Sequence, residues 1–278
     1  MIYGKQIKFF MIAGALCAGL SIPASAYADD TAAVKLATLA DGAQRTAEQK
    51  ARNVYRHPVE TLTFFGIQDN MTVVELWPFG GWYTSILAPF LRDRGKLYAA
   101  AIDPATTDKR ELGYNVQLKA MFDADPAVYN KVITTALAPG KHEIAPPGSA
   151  DMVLTFRNIH NWQWAGIGKQ VFAEAYRALK PGGILGVVEH RANPGMPPPE
   201  KPGLAYVGED YAVALIESVG FKLLGRSEIN ANPRDTKNYP RGVWTLPPSY
   251  AMGDEDRAKY TAIGESDRFT LKFMKPLK

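Results

Sequence analysis

Cysteine is nearly absent: the 278-residue chain has one, Cys17, set in an apolar N-terminal run behind Leu16, where lipid attachment would want a small residue. A lipoprotein anchor is therefore not expected. Long hydrophobic runs are also lacking. The stretch from Phe9 to Ile22 falls short of the roughly 20 residues that a membrane-crossing helix needs. With Lys5 and Lys8 before it and Ala24-Ser25-Ala26 and Ala26-Tyr27-Ala28 after it, it reads as a secretory leader cut after Ala26 or Ala28. Residues 1–28 are thus expected to be a signal peptide, the protein to be exported to the periplasm, and no stable membrane span to remain. Cleavage would remove the cysteine, which excludes disulfides and thiolate metal sites. Neither charge dominates: 32 basic against 28 acidic residues give a formal +4, and there is no long basic run, so nucleic acid is not an expected partner.

Several motifs are missing too. There is no Gly-x-Ser-x-Gly elbow, no phosphate loop ending in Gly-Lys-Ser/Thr and no His-Glu-x-x-His pair, which removes the usual hydrolase, nucleotidase and zinc-protease signals. The four histidines, at 57, 142, 160 and 190, fall in separate segments, so no metal site is expected.

What is present is an ordinary compact composition, 46% hydrophobic and 22% charged. Asp30 to Tyr55 is rich in Ala, Leu, Lys, Gln and Glu without proline, which suits one or two helices, and His57-Pro58 starts another that ends at Gly66. Residues 29–66 form an expected N-terminal helical arm. From Met71 the pattern changes to short β-branched and apolar runs at Thr72–Leu76, Lys96–Ile102, Val132–Leu137, Asp151–Phe156 and Ile184–Val188, with helix-compatible stretches such as Ile167–Leu179 between most of them. Tyr211–Ser218 reads as a late helix, and Phe221–Ile229 and Phe269–Phe273 as late strands. Alternation of this kind predicts an α/β domain over 67–278, an open, mostly parallel sheet with helices on both faces, which the late segments can finish. Asn193 to Gly203, with five prolines, predicts a long surface loop, either passive or a lid.

In an open parallel sheet, ligands lie beyond the carboxyl ends of the strands. That rule selects Glu75 and the turn Trp77-Pro78-Phe79-Gly80-Gly81-Trp82-Tyr83, then Asp103, then Arg157 to Trp162, then Glu189-His190-Arg191. Two glycines at a strand-to-helix turn allow close approach to a ligand, and an acid at the end of the second strand can hold a ribose hydroxyl pair, which points to a nucleoside. A tight turn and a helix cap explain the same residues without function.

The order Val73-Val74-Glu75-Leu76-Trp77-Pro78 to Tyr83, Asp103, Asp151–Phe156 and Ala178-Leu179-Lys180-Pro181-Gly182-Gly183-Ile184-Leu185 resembles the class I S-adenosylmethionine-dependent methyltransferases over roughly Arg56 to Lys275. The segments at Trp77–Tyr83, Arg157–Trp162 and Gly264–Arg268 resemble an exported bacterial branch labelled predicted methyltransferases. The resemblance implies a Rossmann-like, seven-stranded, mostly parallel sheet and methyl transfer to an unidentified small-molecule acceptor, with Glu75, Gly80 and Gly81 lining the methionine and sugar of S-adenosylmethionine and Asp103 on its ribose. Trp77 and Phe79 stand where the family pattern has glycines. A non-glycine residue held at positive φ costs about 1–3 kcal/mol, and the Phe79 ring would take up space that the cofactor needs. An exported pseudo-methyltransferase that binds a ligand without catalysis is the alternative, and a nucleotide-dependent dehydrogenase a distant third.

The chemistry expected of the other strand ends follows from methyl transfer. Trp77, Trp82, Tyr83 and Trp162 would form an aromatic face for the positive sulfur, or merely pack. His160 is the first choice for a base, with Arg157 and Asn161 holding an anionic or carbonyl group of the acceptor, Glu189 orienting a histidine, and His190 ranking lower. Gly264 to Arg268 is explained by a hairpin turn, with Arg268 able to face the cleft.

Overall fold

The computed structural model describes Met1 and residues 24–141, 143–196 and 203–278, with backbone alone described over 24–30. The expected leader run Phe9–Ile22, His142 and most of the proline-rich loop lie outside the described residues. Among the described residues no helix is long and apolar enough to cross a membrane.

Seven strands form, at β1 (Thr72–Leu76), β2 (Lys96–Ile102), β3 (Ile133–Leu137), β4 (Ala150–Phe156), β5 (Leu179–His190), β6 (Lys222–Ser227) and β7 (Arg268–Met274). Six of them sit where short β-branched and apolar runs predict them. β5 begins earlier than Ile184. Its Lys180-Pro181-Gly182-Gly183 segment bulges out, so that Leu179 pairs with Ala150 while Ile184 pairs with Met152. Gly182 at φ 80 allows the irregularity.

The strand order is β3-β2-β1-β4-β5-β7-β6. The pairs from β3 through β5 are parallel, and β7 runs antiparallel between β5 and β6. This is the expected Rossmann-like α/β fold. The winding order reverses between the adjacent parallel strands β1 and β4, and such a switch point is where the connecting loops part and leave a crevice.

Helices α1 (Ala24–Ala40), α2 (Ala47–Ala51), α3 (Asn53–Arg56) and α4 (Pro58–Phe65) make up the N-terminal segment, which divides into more pieces than one or two helices. Thr46 and Gln49 close a reciprocal capping box at α2, and Pro58 occupies the first turn of α4. With α5 (Thr84–Leu91), α6 (Lys109–Ala124) and α7 (Pro126–Tyr129) they cover one face of the sheet, where Leu36, Leu62, Phe65, Val73, Ile86, Phe90 and Leu154 share a core. The arm therefore forms part of the layer against the sheet. On the other face, α8 (Ile159–Trp164), α9 (Gly168–Ala178) and α10 (Glu209–Glu217) pack over Val74, Leu76, Val153, Leu185 and Val187. A short 3-10 helix, Gly242–Thr245, and α11 (Arg257–Ile263) lie in the long connection before β7.

Candidate functional site

At the end of β1 the chain turns through Trp77 and Phe79 at φ 44 and 49, and through Gly81 at φ 71. The strain expected of a non-glycine at position 79 is thus present, and position 77 shares it. A Cβ added at exposed Gly80 would meet nothing within 4 Å, so this turn opens outward at Gly80. At Gly81 a Cβ would come 2.5 Å from the Met121 sulfur of α6, so that side is filled. The Phe79 ring packs edge-on against Tyr114 at 4.7 Å.

Glu75 and Asp103 lie on adjacent parallel strands at one edge of the sheet, but they are used differently. Glu75 is buried and accepts a 2.6 Å hydrogen bond from Thr84 Oγ1. Burial pushes its carboxyl up to about 7, against the opposing pull of the Thr84 bond and of Arg157. Through that bond it braces the start of α5. Asp103 stays near the surface, accepting from the Ala105 amide at 2.9 Å and pairing with Lys141 at 3.0 Å.

The four aromatics do not gather into one cage. Trp77 and Trp162 pair at 5.8 Å on one face of the sheet, and the indole N–H of each is buried without an acceptor. Tyr83 lies on the other face, stacked on Phe156 at 3.5 Å, and donates to the Arg56 carbonyl. Beside it the Trp82 ring receives the guanidinium groups of Arg45 and Arg56 at 4.5 and 4.6 Å. Trp82 thus has cation–π partners within its own chain, and Tyr83 is buried with its ring face on Phe156.

The ends of β4 and β5 are brought together tightly. Asn158 ties the β4–α8 junction to β1, donating to the Leu76 carbonyl at 3.0 Å and to Thr155 at 3.3 Å. Arg157 adopts φ 62, with its amide fixed to the Val188 carbonyl at 2.7 Å. Asn161 continues the same turn, its amide bonded to the Asn158 carbonyl.

In the first turn of α8, His160 Nδ1 lies 3.1 Å from Glu189 Oε1, while Glu189 also accepts from the His160 and His190 amides. His160 is 2% exposed and its Nε2 is buried without a partner. His190, the last residue of β5, bonds through Nδ1 to Ser266 Oγ at 2.6 Å, and its ring centre is 5.5 Å from that of His160. Burial, then His160, then Arg268, Arg157 and Arg56 hold His190 well below its usual range, so it stays neutral. Trp164 and Trp244 close edge-on over His160, at 5.1 and 6.1 Å.

The scattered histidines therefore do converge in part. His160, Glu189 and His190 offer ligand-type atoms within 4.8 Å of one another, which their separation in sequence does not predict. A cation there would compete with the hydrogen bonds already on both Glu189 oxygens and would face the neighbouring arginines.

Gly264–Arg268 departs most from expectation. In place of a hairpin turn, the segment joins α11 to β7, and Glu265, Ser266, Asp267 and Arg268 are all buried. Glu265 takes Arg52 on one oxygen and Arg56, at 3.2 Å, with Arg268 on the other. These arginines hold its carboxyl well below the usual carboxylate range despite burial. Arg268 also donates to the Tyr55 carbonyl at 2.9 Å. Thr84 and Arg56 carry no local motif, and Glu265 and Ser266, though they lie in the segment Gly264–Arg268, owe their burial and partners to the three-dimensional fold.

No family model matches the chain, nor does any curated protein sequence. Solved structures do resemble it. A SAM-dependent methyltransferase from Aquifex aeolicus aligns over 87% of this chain and 98% of its own, with 18% identity and a TM-score of 0.53. A protein described as the 4+2 cyclase SpnF aligns over 94% of this chain and 100% of its own, with 15% identity and a TM-score of 0.56. At such identities the likeness is one of fold, and the chain has the Rossmann-like fold of these enzymes.

Proposed function

We propose that the protein is an exported S-adenosylmethionine-dependent methyltransferase for a small-molecule acceptor, with the donor at the ends of β1 and β2 and the acceptor at the ends of β4 and β5. The observation that carries this reading is a carboxylate-oriented histidine, His160 with Glu189, at the ends of β4 and β5, with an open glycine turn at the end of β1 across the fold's switch point.

When bound, S-adenosylmethionine supplies a methyl group on a positively charged sulfur. Gly80 permits close approach of the backbone, and Asp103 offers a carboxylate to the ribose hydroxyls. Glu189 holds the His160 ring with its Nδ1–H turned inward, which leaves the Nε2 lone pair to take a proton from an acceptor hydroxyl. A base so placed contributes typically 10²–10⁴-fold.

A specific observation favours the second reading, a ligand-binding module without catalysis. Phe79 holds a strained conformation with its ring on Tyr114, and Met121 fills the space beside Gly81. A fold likeness alone leaves the chemistry open, since one fold hosts many activities.

Calorimetry of the mature protein with S-adenosylmethionine tests the enzyme reading. Saturable heat is expected, with affinity falling at least tenfold in Asp103→Ala. The absence of heat at millimolar ligand, with the fold intact, would contradict it.

A further inference from the structure

Four guanidinium groups, those of Arg52, Arg56, Arg157 and Arg268, share one region beneath the ends of β4, β5 and β7, and each influences the ionisation of others there. Glu265 answers three of them. Arg157 has no such answer: among the described residues, its guanidinium takes part in no ion pair within 4.0 Å. Neither of the other nearby carboxylates is placed to supply one. Glu75 is pushed up to about 7 and bonded to Thr84, and Glu189 is committed to His160 and two backbone amides.

The surrounding donors are also left over. Arg56 and Arg268 are 4% and 3% exposed, yet Arg56 Nη1 and Arg268 Nε are buried without an acceptor. Burial lowers the Arg157 guanidinium to about 10, with Arg268 adding to the effect, so it still carries its charge at neutral pH. A cation that cannot discharge, half removed from water among other cations, is costly unless an anion joins it. The structure also spends backbone strain to hold it, since Arg157 stands at φ 62.

We propose that Arg157 is the anchor of an oxyanion subsite, and that the acceptor is a small molecule bearing a carboxylate or phosphate group. The planar fork of arginine matches either group in a bidentate fashion. Arg157 is half-buried and so remains open to solvent on one side. It precedes His160 by three residues on one rigid junction, so an anion seated on it brings the rest of the acceptor toward the His160–Glu189 pair. The identification of the anion as part of an acceptor rests on the methyl-transfer reading, whereas the subsite itself does not.

The test is thermal unfolding of the mature protein without donor, at constant ionic strength set with sodium chloride, titrated with sodium benzoate in one arm and inorganic phosphate in the other. At least one anion should raise the melting temperature saturably in the millimolar range, and the arm that responds names the chemistry. Arg157→Gln should weaken that binding at least tenfold while leaving the anion-free melting temperature equal or higher, because it removes a half-buried cation that forms no ion pair among the described residues. Arg157→Lys, which keeps the charge and loses the fork, should weaken it less.

No response to either anion in the wild type overturns the proposal. So does an Arg157→Gln variant that binds as before and melts lower, which would make Arg157 a structural ion-pair member. In a further arm, S-adenosylhomocysteine should leave the anion's affinity unchanged or improved. Competition between the two would place the donor's own carboxylate on Arg157 and would also overturn it. Failure of the donor to bind at all, with anion binding intact, would reject methyl transfer and leave the subsite standing.

Discussion

Among single residues, Glu75 carries the sharpest pH signature. Its folded carboxyl titrates near 7 against an ordinary value of 4.5, so between those values the folded state holds a proton that the unfolded state has lost. Stability due to this group therefore falls as pH rises through that window. Glu75→Gln, which keeps an acceptor for Thr84, should gain on the wild type from pH 5 to pH 8 and lead by about 3 kcal/mol above pH 7. Urea unfolding across that range measures it, and a pH-independent difference would contradict it. Phe79→Gly relieves a left-handed phenylalanine and removes its ring from Tyr114, so S-adenosylmethionine should bind about tenfold tighter or better. Unchanged affinity would mean that the ring does not obstruct. At this scale much of the site is legible in the sequence, because strand ends and their loops mark His160, Glu189, Arg157 and Asp103. Local pattern does not show which way a side chain leaves the strand. Glu75 and Tyr83 are therefore named by position yet turn into packing, with Thr84 and Phe156 as their partners.

The elements differ in what local sequence records. β-branched runs give the strands, since periodicity and bounding glycines and prolines act over a few residues. The bulge in β5 is less visible, because it depends on the register against β4. The join between the arm and β7 is invisible, resting on pairs such as Arg56 with Glu265 that lie far apart in sequence. Removing Glu265 strands three guanidinium groups, so Glu265→Ala should destabilise by about 3–5 kcal/mol, the range for breaking a buried ion pair. The effect should fade at acid pH, since a carboxylate held below its usual range contributes above that range and loses the contribution as pH falls through it. A cost below 1 kcal/mol in urea unfolding at pH 7 would show that the cluster does not hold the arm. Gly264 adds a steric test of the same join. At φ 87, with Tyr55 Cε1 2.6 Å from where a Cβ would stand, Gly264→Ala should also loosen the arm, read as faster proteolysis within residues 41–57.

For the whole molecule, the strand order places four loop sets on one edge, and the two halves of the proposed reaction divide between them. β1 and β2 offer an open glycine turn and a carboxylate near the surface; β4 and β5 offer an oriented histidine and an arginine that forms no ion pair among the described residues. The segments at residues 204–207 and 239–252 cover the histidine side, where the Val243 amide bonds to the Leu204 carbonyl and the Val207 amide to the His190 carbonyl. Hydrogen–deuterium exchange with and without S-adenosylhomocysteine tests this division most directly. Protection should rise in residues 77–83 and 103–109 and stay unchanged in residues 41–66 and 222–227. Protection confined to other segments, or no change at saturating ligand, would contradict a donor site at the ends of β1 and β2.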